Sequence, residues 1–184
     1  MVHDILAEAG STLAQLDGIA FGAGPGSFTG LRIACGVAQG LAFATDLPVT
    51  GISTLEAIAQ KIGQQNVVVA LDARMGEIYH AVYQKTAHSC WVAISAPTLC
   101  RPMQAPLLSG NHWIGGGSGF DIYREELLML YSDNISQISD GLYPHAREII
   151  ELAIPRMADE SNKNPANAAP IYIRNKVALK ESER

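Results

Sequence analysis

Apolar residues fill nearly every position from Phe28 to Phe43, where only Thr29, Arg32 and Gln39 carry polar side chains. A run of this length reads as a helix, and a helix apolar nearly all round is expected to be buried. It follows the stretch Phe21-Gly22-Ala23-Gly24-Pro25-Gly26-Ser27-Phe28-Thr29-Gly30-Leu31-Arg32, which reads as a strand ending at Phe21, a tight turn and a helix start. Ser27 or Thr29 can cap the first free N–H groups. Arg32, Gly36, Gln39, Gly40 and Phe43 share one helix face by their i, i+4, i+7, i+8, i+11 spacing. Each interior glycine costs about 1 kcal/mol relative to alanine, so close packing at that face is expected, by the chain's own sheet or by a partner helix. The run is too short and too early interrupted for a membrane span.

Elsewhere the pattern alternates between the two periods. His3 to Ala9 reads as the tail of an amphipathic helix stopped by Gly10, and Ile19 to Phe21 as a strand. Val49 to Ile52 is a short strand, and Ser53-Thr54-Leu55-Glu56 is a capping box opening a helix through Ile62, ended by Gly63. Gln64-Gln65-Asn66 is a polar link, which places a first lobe at residues 1–65 and a second at 66–184. Val67 to Leu71 reads as a buried strand, Asp72 to Gly76 as a turn, Glu77 to Tyr83 as the returning strand of a hairpin, and Cys90 to Ile94 as a third strand. Leu99 to Pro106 is read as irregular. Trp113-Ile114 leads into a second glycine cluster, Gly115 to Gly119, followed by helices near Ile122 to Tyr131 and from Pro144 at the first helical position to Ile154. Ser161 to Ala169 is a polar linker, Pro170 to Asn175 a docked tail segment, and Lys180 to Arg184 a frayed end. This order of elements indicates an α/β protein.

Composition narrows the function classes. A net charge of -5 and pI near 5.5 argue against direct, electrostatically driven nucleic-acid binding by this chain alone. Cys35, Cys90 and Cys100 form no CxxC pair and read as reduced, mostly buried thiols of a cytoplasmic protein. No secretory signal pattern is present. Neither glycine cluster is followed by a Walker lysine, and Ser27 stands where the dinucleotide fingerprint needs glycine. The histidines His3, His80, His88, His112 and His145 lack partners at metal-ligand spacing, and His80 reads as a satisfied structural histidine. Asp72 and Glu77 flank a hairpin turn; a water-mediated Mg²⁺ site is one reading, and a local turn in which Asp72 accepts backbone N–H bonds is the favoured one.

One likeness rests on specific blocks. Gly22 to Ile33, Gln39-Gly40-Leu41-Ala42, Gly51 to Leu55, Leu71 to Tyr79 and Pro170 to Asn175 together resemble the signature of the bacterial TsaB (YeaZ) family, over about Asp4 to Val177. The resemblance implies an α/β, two-lobed, actin-like (ribonuclease H-like) fold. It implies a non-catalytic role in making N6-threonylcarbamoyladenosine in tRNA, as partner of TsaD together with the ATPase TsaE. It implies a four-helix bundle with TsaD or a second copy, which places Leu6, Arg32, Gly36, Gln39 and Gly40 at or near the interface. No cofactor, metal or catalytic residue follows from it, nucleotide at a TsaD interface is left open, and tRNA is met only through the complex. The alternative is an ATP-dependent kinase or glycoprotease-like enzyme of the same superfamily.

The match departs from the family at its start. Family members begin with strands carrying an Asp-Thr-Ser or Asp-Thr-Ala motif, whereas this chain opens inside the first helix. The expectation is therefore a first lobe lacking its leading strands, by a mis-set start or a truncation, with an uncovered sheet edge and poor solubility or obligate association.

Overall fold

The computed structural model describes residues 2–88 and 90–173. Helix α1 (Val2–Glu8) buries none of its residues. Strand β1 (Ile19–Gly24), helix α2 (Phe28–Thr45), strand β2 (Val49–Ser53) and helix α3 (Thr54–Ile62) follow. β1 and β2 pair in parallel with Phe21 beside Gly51, and α2 is the crossover between them. A second sheet has the order β5-β4-β3-β6-β7, built from β3 (Asn66–Arg74), β4 (Glu77–Lys85), β5 (Trp91–Cys100), β6 (Trp113–Gly116) and β7 (Ile135–Ser139). Its first three strands form an antiparallel meander, and β6 and β7 add in parallel beside β3. Helices α4 (Ser118–Ile122) and α5 (Arg124–Tyr131) link β6 to β7, and α6 (Ala146–Ala153) comes after.

Burial explains this arrangement. β3 is apolar on both faces because both are covered. Val67, Val69 and Leu71 pack with Leu55 and Ile58 of α3, while Val68 and Ala70 pack with Phe120, Leu127 and Tyr131 of α4 and α5. The first sheet is layered in the same way. Phe21, Ala23 and Val49 meet Cys35, Ala38 and Ala42 of α2, and Ile52 meets Ala57 of α3 and Ile149 and Leu152 of α6. Helix α3 therefore lies between the two sheets. Arg156, just beyond α6, forks onto both carboxylate oxygens of Glu56 on α3 and ties the stretch after α6 back to this central helix.

Several expectations change. Strand β1 continues through Gly24, so the glycines after Phe21 are strand before they are turn. α2 is not buried all round: only Leu31, Cys35, Ala38 and Ala42 are buried, and Phe43 is 84% exposed. Ser53 caps α3 by accepting the Glu56 N–H, but Arg156 takes the carboxylate of Glu56. β3 runs on to Arg74 and β5 to Cys100, through residues read as turn and as irregular. The helix over Ile122 to Tyr131 is two helices broken at Tyr123, and α6 begins at Ala146 with His145 as its N-cap, so Pro144 precedes the helix. Strand β7 was not anticipated; its isoleucines, Ile135 and Ile138, are out of step with strand alternation. Within the expected linker, residues 161–163 and 165–167 lie in 3₁₀ turns. Of the thiols only Cys35 is buried; Cys90 is exposed. Arg174, Asn175 and the segment from Lys180 to Arg184 lie outside the described residues.

His80 is fully buried but only half satisfied. The Tyr131 hydroxyl donates to the Pro106 carbonyl at 2.8 Å, so at its 3.0 Å contact with His80 Nε2 it accepts. His80 is then the Nε2–H tautomer, and its Nδ1 has no partner among the described residues. Desolvation lowers its pKa from 6.5 to about 4. The unfolded chain therefore binds a proton that the folded chain refuses, and stability falls as pH drops below the unfolded value. From about pH 7.5 to about pH 5 this single group should cost about 2 kcal/mol of unfolding free energy. Urea denaturation of the wild type and His80→Asn checks it: the variant should lose the corresponding part of the pH dependence, and equal pH profiles would contradict the assignment.

Candidate partner surface and inter-sheet cleft

Helix α2 divides lengthwise into a buried strip, two flanks and an open strip. Leu31, Cys35, Ala38 and Ala42, at i, i+4, i+7 and i+11, form the strip buried on the first sheet. One flank, carrying Phe28, Arg32, Cys35 and Gln39, is held by residues 164–173. Gln39 Nε2 donates to the carbonyls of Ala168 (2.9 Å) and Pro165 (3.3 Å), and Arg32 Nε donates to the Tyr172 hydroxyl at 2.8 Å. The Arg32 guanidinium also lies 3.8 Å from the centroid of the Phe28 ring. On the other flank, Leu41 lines a groove of about 580 Å³ with Val2, Leu6 and Leu13.

Between these flanks lies an open strip. A Cβ added at Gly36 or at Gly40 would meet nothing within 4 Å, and Ile33 and Val37 beside them are 62% and 51% exposed. The five residues singled out from the sequence are thus separated. Gly36 and Gly40 face open space, Leu6 is half-buried in the groove toward α1, and Arg32 and Gln39 are turned to the chain's own tail. The sequence reading missed Ile33 and Val37, although their i, i+4 spacing was available. It also missed the Arg32–Tyr172 bond, which joins positions 140 residues apart and has no local signal.

A cleft of about 590 Å³ separates the sheets, lined among others by Ser27, Phe28, Asp72, Arg74, Tyr79, Ser118 and Tyr143. Ser27, Asp72, Arg74 and Ser118 are bonded within the chain. Ser27 Oγ caps α2 by accepting the Gly30 N–H. Asp72 Oδ1 accepts the Arg74 N–H at 2.9 Å and the Tyr123 hydroxyl at 3.3 Å, its other oxygen lies 3.3 Å from the Arg74 guanidinium, and the Asp72 N–H donates to Ser118 Oγ. Desolvation, with Asp72 beside it, raises the pKa of Tyr123. The turn that presents these groups has Met75 and Gly76 both at positive φ, the geometry of a two-residue hairpin turn. The second glycine cluster is used for packing as well: a Cβ at Gly119 would come within 2.9 Å of Ala70, and Gly117 has φ +103 against the Ala70 carbonyl. Among the described residues no group of three or more His, Cys, Asp or Glu side chains could hold a metal ion.

Comparison with known proteins agrees with this architecture. The family model for TsaD, tRNA N6-adenosine threonylcarbamoyltransferase, matches residues 1–113. The tRNA threonylcarbamoyladenosine biosynthesis protein TsaB of Escherichia coli (strain K12) is 37% identical, with 98% of this chain and 80% of that protein covered. TsaB of Haemophilus influenzae gives the same identity and coverage. Among solved structures, YeaZ from Pseudomonas aeruginosa superposes with TM-score 0.83 at 36% identity, over 94% of this chain and 81% of that one. A second Pseudomonas aeruginosa structure, described as similar to peptidase YEAZ, reaches TM-score 0.85 at 36% identity, over 95% of this chain and 81% of that one. The fold is the actin-like, ribonuclease H-like α/β fold, and the chain belongs to the TsaB (YeaZ) family.

Proposed function

We propose that this chain is a non-catalytic partner in the biosynthesis of N6-threonylcarbamoyladenosine in tRNA. It binds a TsaD-like paralogue through α1 and α2 and supports it together with a TsaE-like ATPase. The observation that carries this reading is the open strip of α2, where two glycines leave room for a helix backbone beside exposed Ile33 and Val37. A strip of small residues flanked by apolar ones lets a second helix approach closely and bury area on both sides. Leu6, Arg32, Gly36, Gln39 and Gly40 are the proposed contact residues, with Arg32 and Gln39 at the edge where the tail is bound. The same strip, left unfilled, would seat a second copy of the chain as a homodimer.

The net charge of -5 favours contact with tRNA through the complex and not through this chain alone; the complex is proposed to act in the cytoplasm. Among the described residues no helix is long and apolar enough to cross a membrane. A non-catalytic role is favoured by the cleft, where Ser27, Asp72 and Ser118 are bonded into caps and turns. The two lobes are proposed to divide at residues 1–65 and 66–184, with α6 and the tail returning to the first.

Substitutions at Gly36 separate fold from contact. Gly36→Ala should raise folding stability by up to about 1 kcal/mol, since the site is an open helix interior. Gly36→Leu should keep the melting temperature close to wild type yet abolish capture by TsaD in a pull-down. Unfolding of Gly36→Leu, or undiminished capture, would contradict the surface. Isothermal titration with ATP should show no micromolar binding by the chain without a partner; micromolar affinity alone would favour the kinase-like alternative.

A further inference from the structure

The segment 164–173 makes more contacts than a terminal tail needs. At one end, Ala168 packs into the core between α2 and β1, and its carbonyl accepts from Gln39 Nε2 and from Cys35 Sγ. In the middle, the Ile171 N–H donates to the Ala23 carbonyl at 2.7 Å, at the end of β1. At the other end, Tyr172 bonds Arg32 and its ring lies 5.9 Å from that of Phe28, while Ile173 packs against the core of the second sheet. The segment is therefore attached to both sheets. Beneath it a small cavity of about 50 Å³ is walled by Pro25, Phe28 and Leu31 from the first sheet's side, Tyr79 from the second, and Ile171 and Ile173 from the segment itself. Phe28 and Tyr79 also line the large cleft, so the cavity under the segment adjoins it.

We infer that residues 164–173 are a clamp that sets the aperture of the inter-sheet cleft, and that the Phe28–Arg32–Tyr172 stack is its latch. The two ends are unlike. The Ala168 end is anchored in a packed core, whereas Tyr172 is 50% exposed and Arg32 lies at the surface. Polar contacts open to water exchange readily with solvent, so the clamp opens from the Tyr172 end. Opening removes Ile173 from the second sheet's core and frees Tyr79 and Phe28, one from each wall. The inference is independent of which partner binds α2.

Amide hydrogen exchange on the full chain tests it with variants at the two ends. Tyr172→Phe keeps the ring and removes only the bond to Arg32, and Gln39→Ala loosens the opposite anchor. Both should raise exchange of residues 164–173 by about tenfold and also raise that of residues 72–79, on the far wall of the cleft, by about threefold or more. The rest of β4, from His80 to Lys85, and β5 should be unchanged, which distinguishes opening from global unfolding. Gains confined to residues 164–173, or no gain with either variant, would overturn the clamp and leave a passive tail.

Discussion

A helix laid on a two-stranded sheet can bury only one stripe, and α2 has more apolar surface than that stripe can use. Leu31, Cys35, Ala38 and Ala42 satisfy the sheet. The remaining apolar residues lie outside that stripe; residues 164–173 cover one flank, and a groove toward α1 runs along the other. What is left is a strip of Ile33, Gly36, Val37 and Gly40 in contact with water. The clamp, the groove toward α1 and the proposed partner surface all follow from this excess.

The chain's glycines fall into two physical classes that the sequence alone does not separate. Gly117 and Gly119 bring the start of α4 against the β3 backbone, where any side chain would collide with Ala70. Gly36 and Gly40 touch nothing. They carry the conformational cost of glycine in a helix interior without a compensating contact inside this chain. The proposed partner surface rests on this difference between the two classes.

Local chemistry was legible in the sequence wherever it was local. Ser53 and Gly63 bound α3 as their residue types require, Ser27 caps α2, and Asp72 accepts the Arg74 N–H of its own turn. The period of the buried β3 strand was also readable, because both of its faces are covered. Four features were not. Strand β7 depends on its place beside β6 and not on its own pattern. The exposure of α2 depends on which of its faces residues 164–173 and α1 lie beside, which no window of sequence reports. His80 was read as satisfied, yet its Nδ1 meets no partner among the described residues, and the Tyr131 proton, committed to Pro106, fixes only which ring nitrogen carries the hydrogen. The pairing of Arg32 with Tyr172 and of Gln39 with Ala168 joins distant positions, so the flank and the open strip of α2 could not be told apart in advance.

The central claim is that the open strip of α2 is where a TsaD-like partner sits. Hydrogen-exchange footprinting of this chain with and without purified TsaD addresses it directly, because the strip and the cleft lie in different peptides. The account predicts slowed exchange in α1 and in α2 from Arg32 to Phe43, with residues 72–79 and 118–123 of the cleft unaffected. Protection of the cleft with α2 unchanged would contradict it.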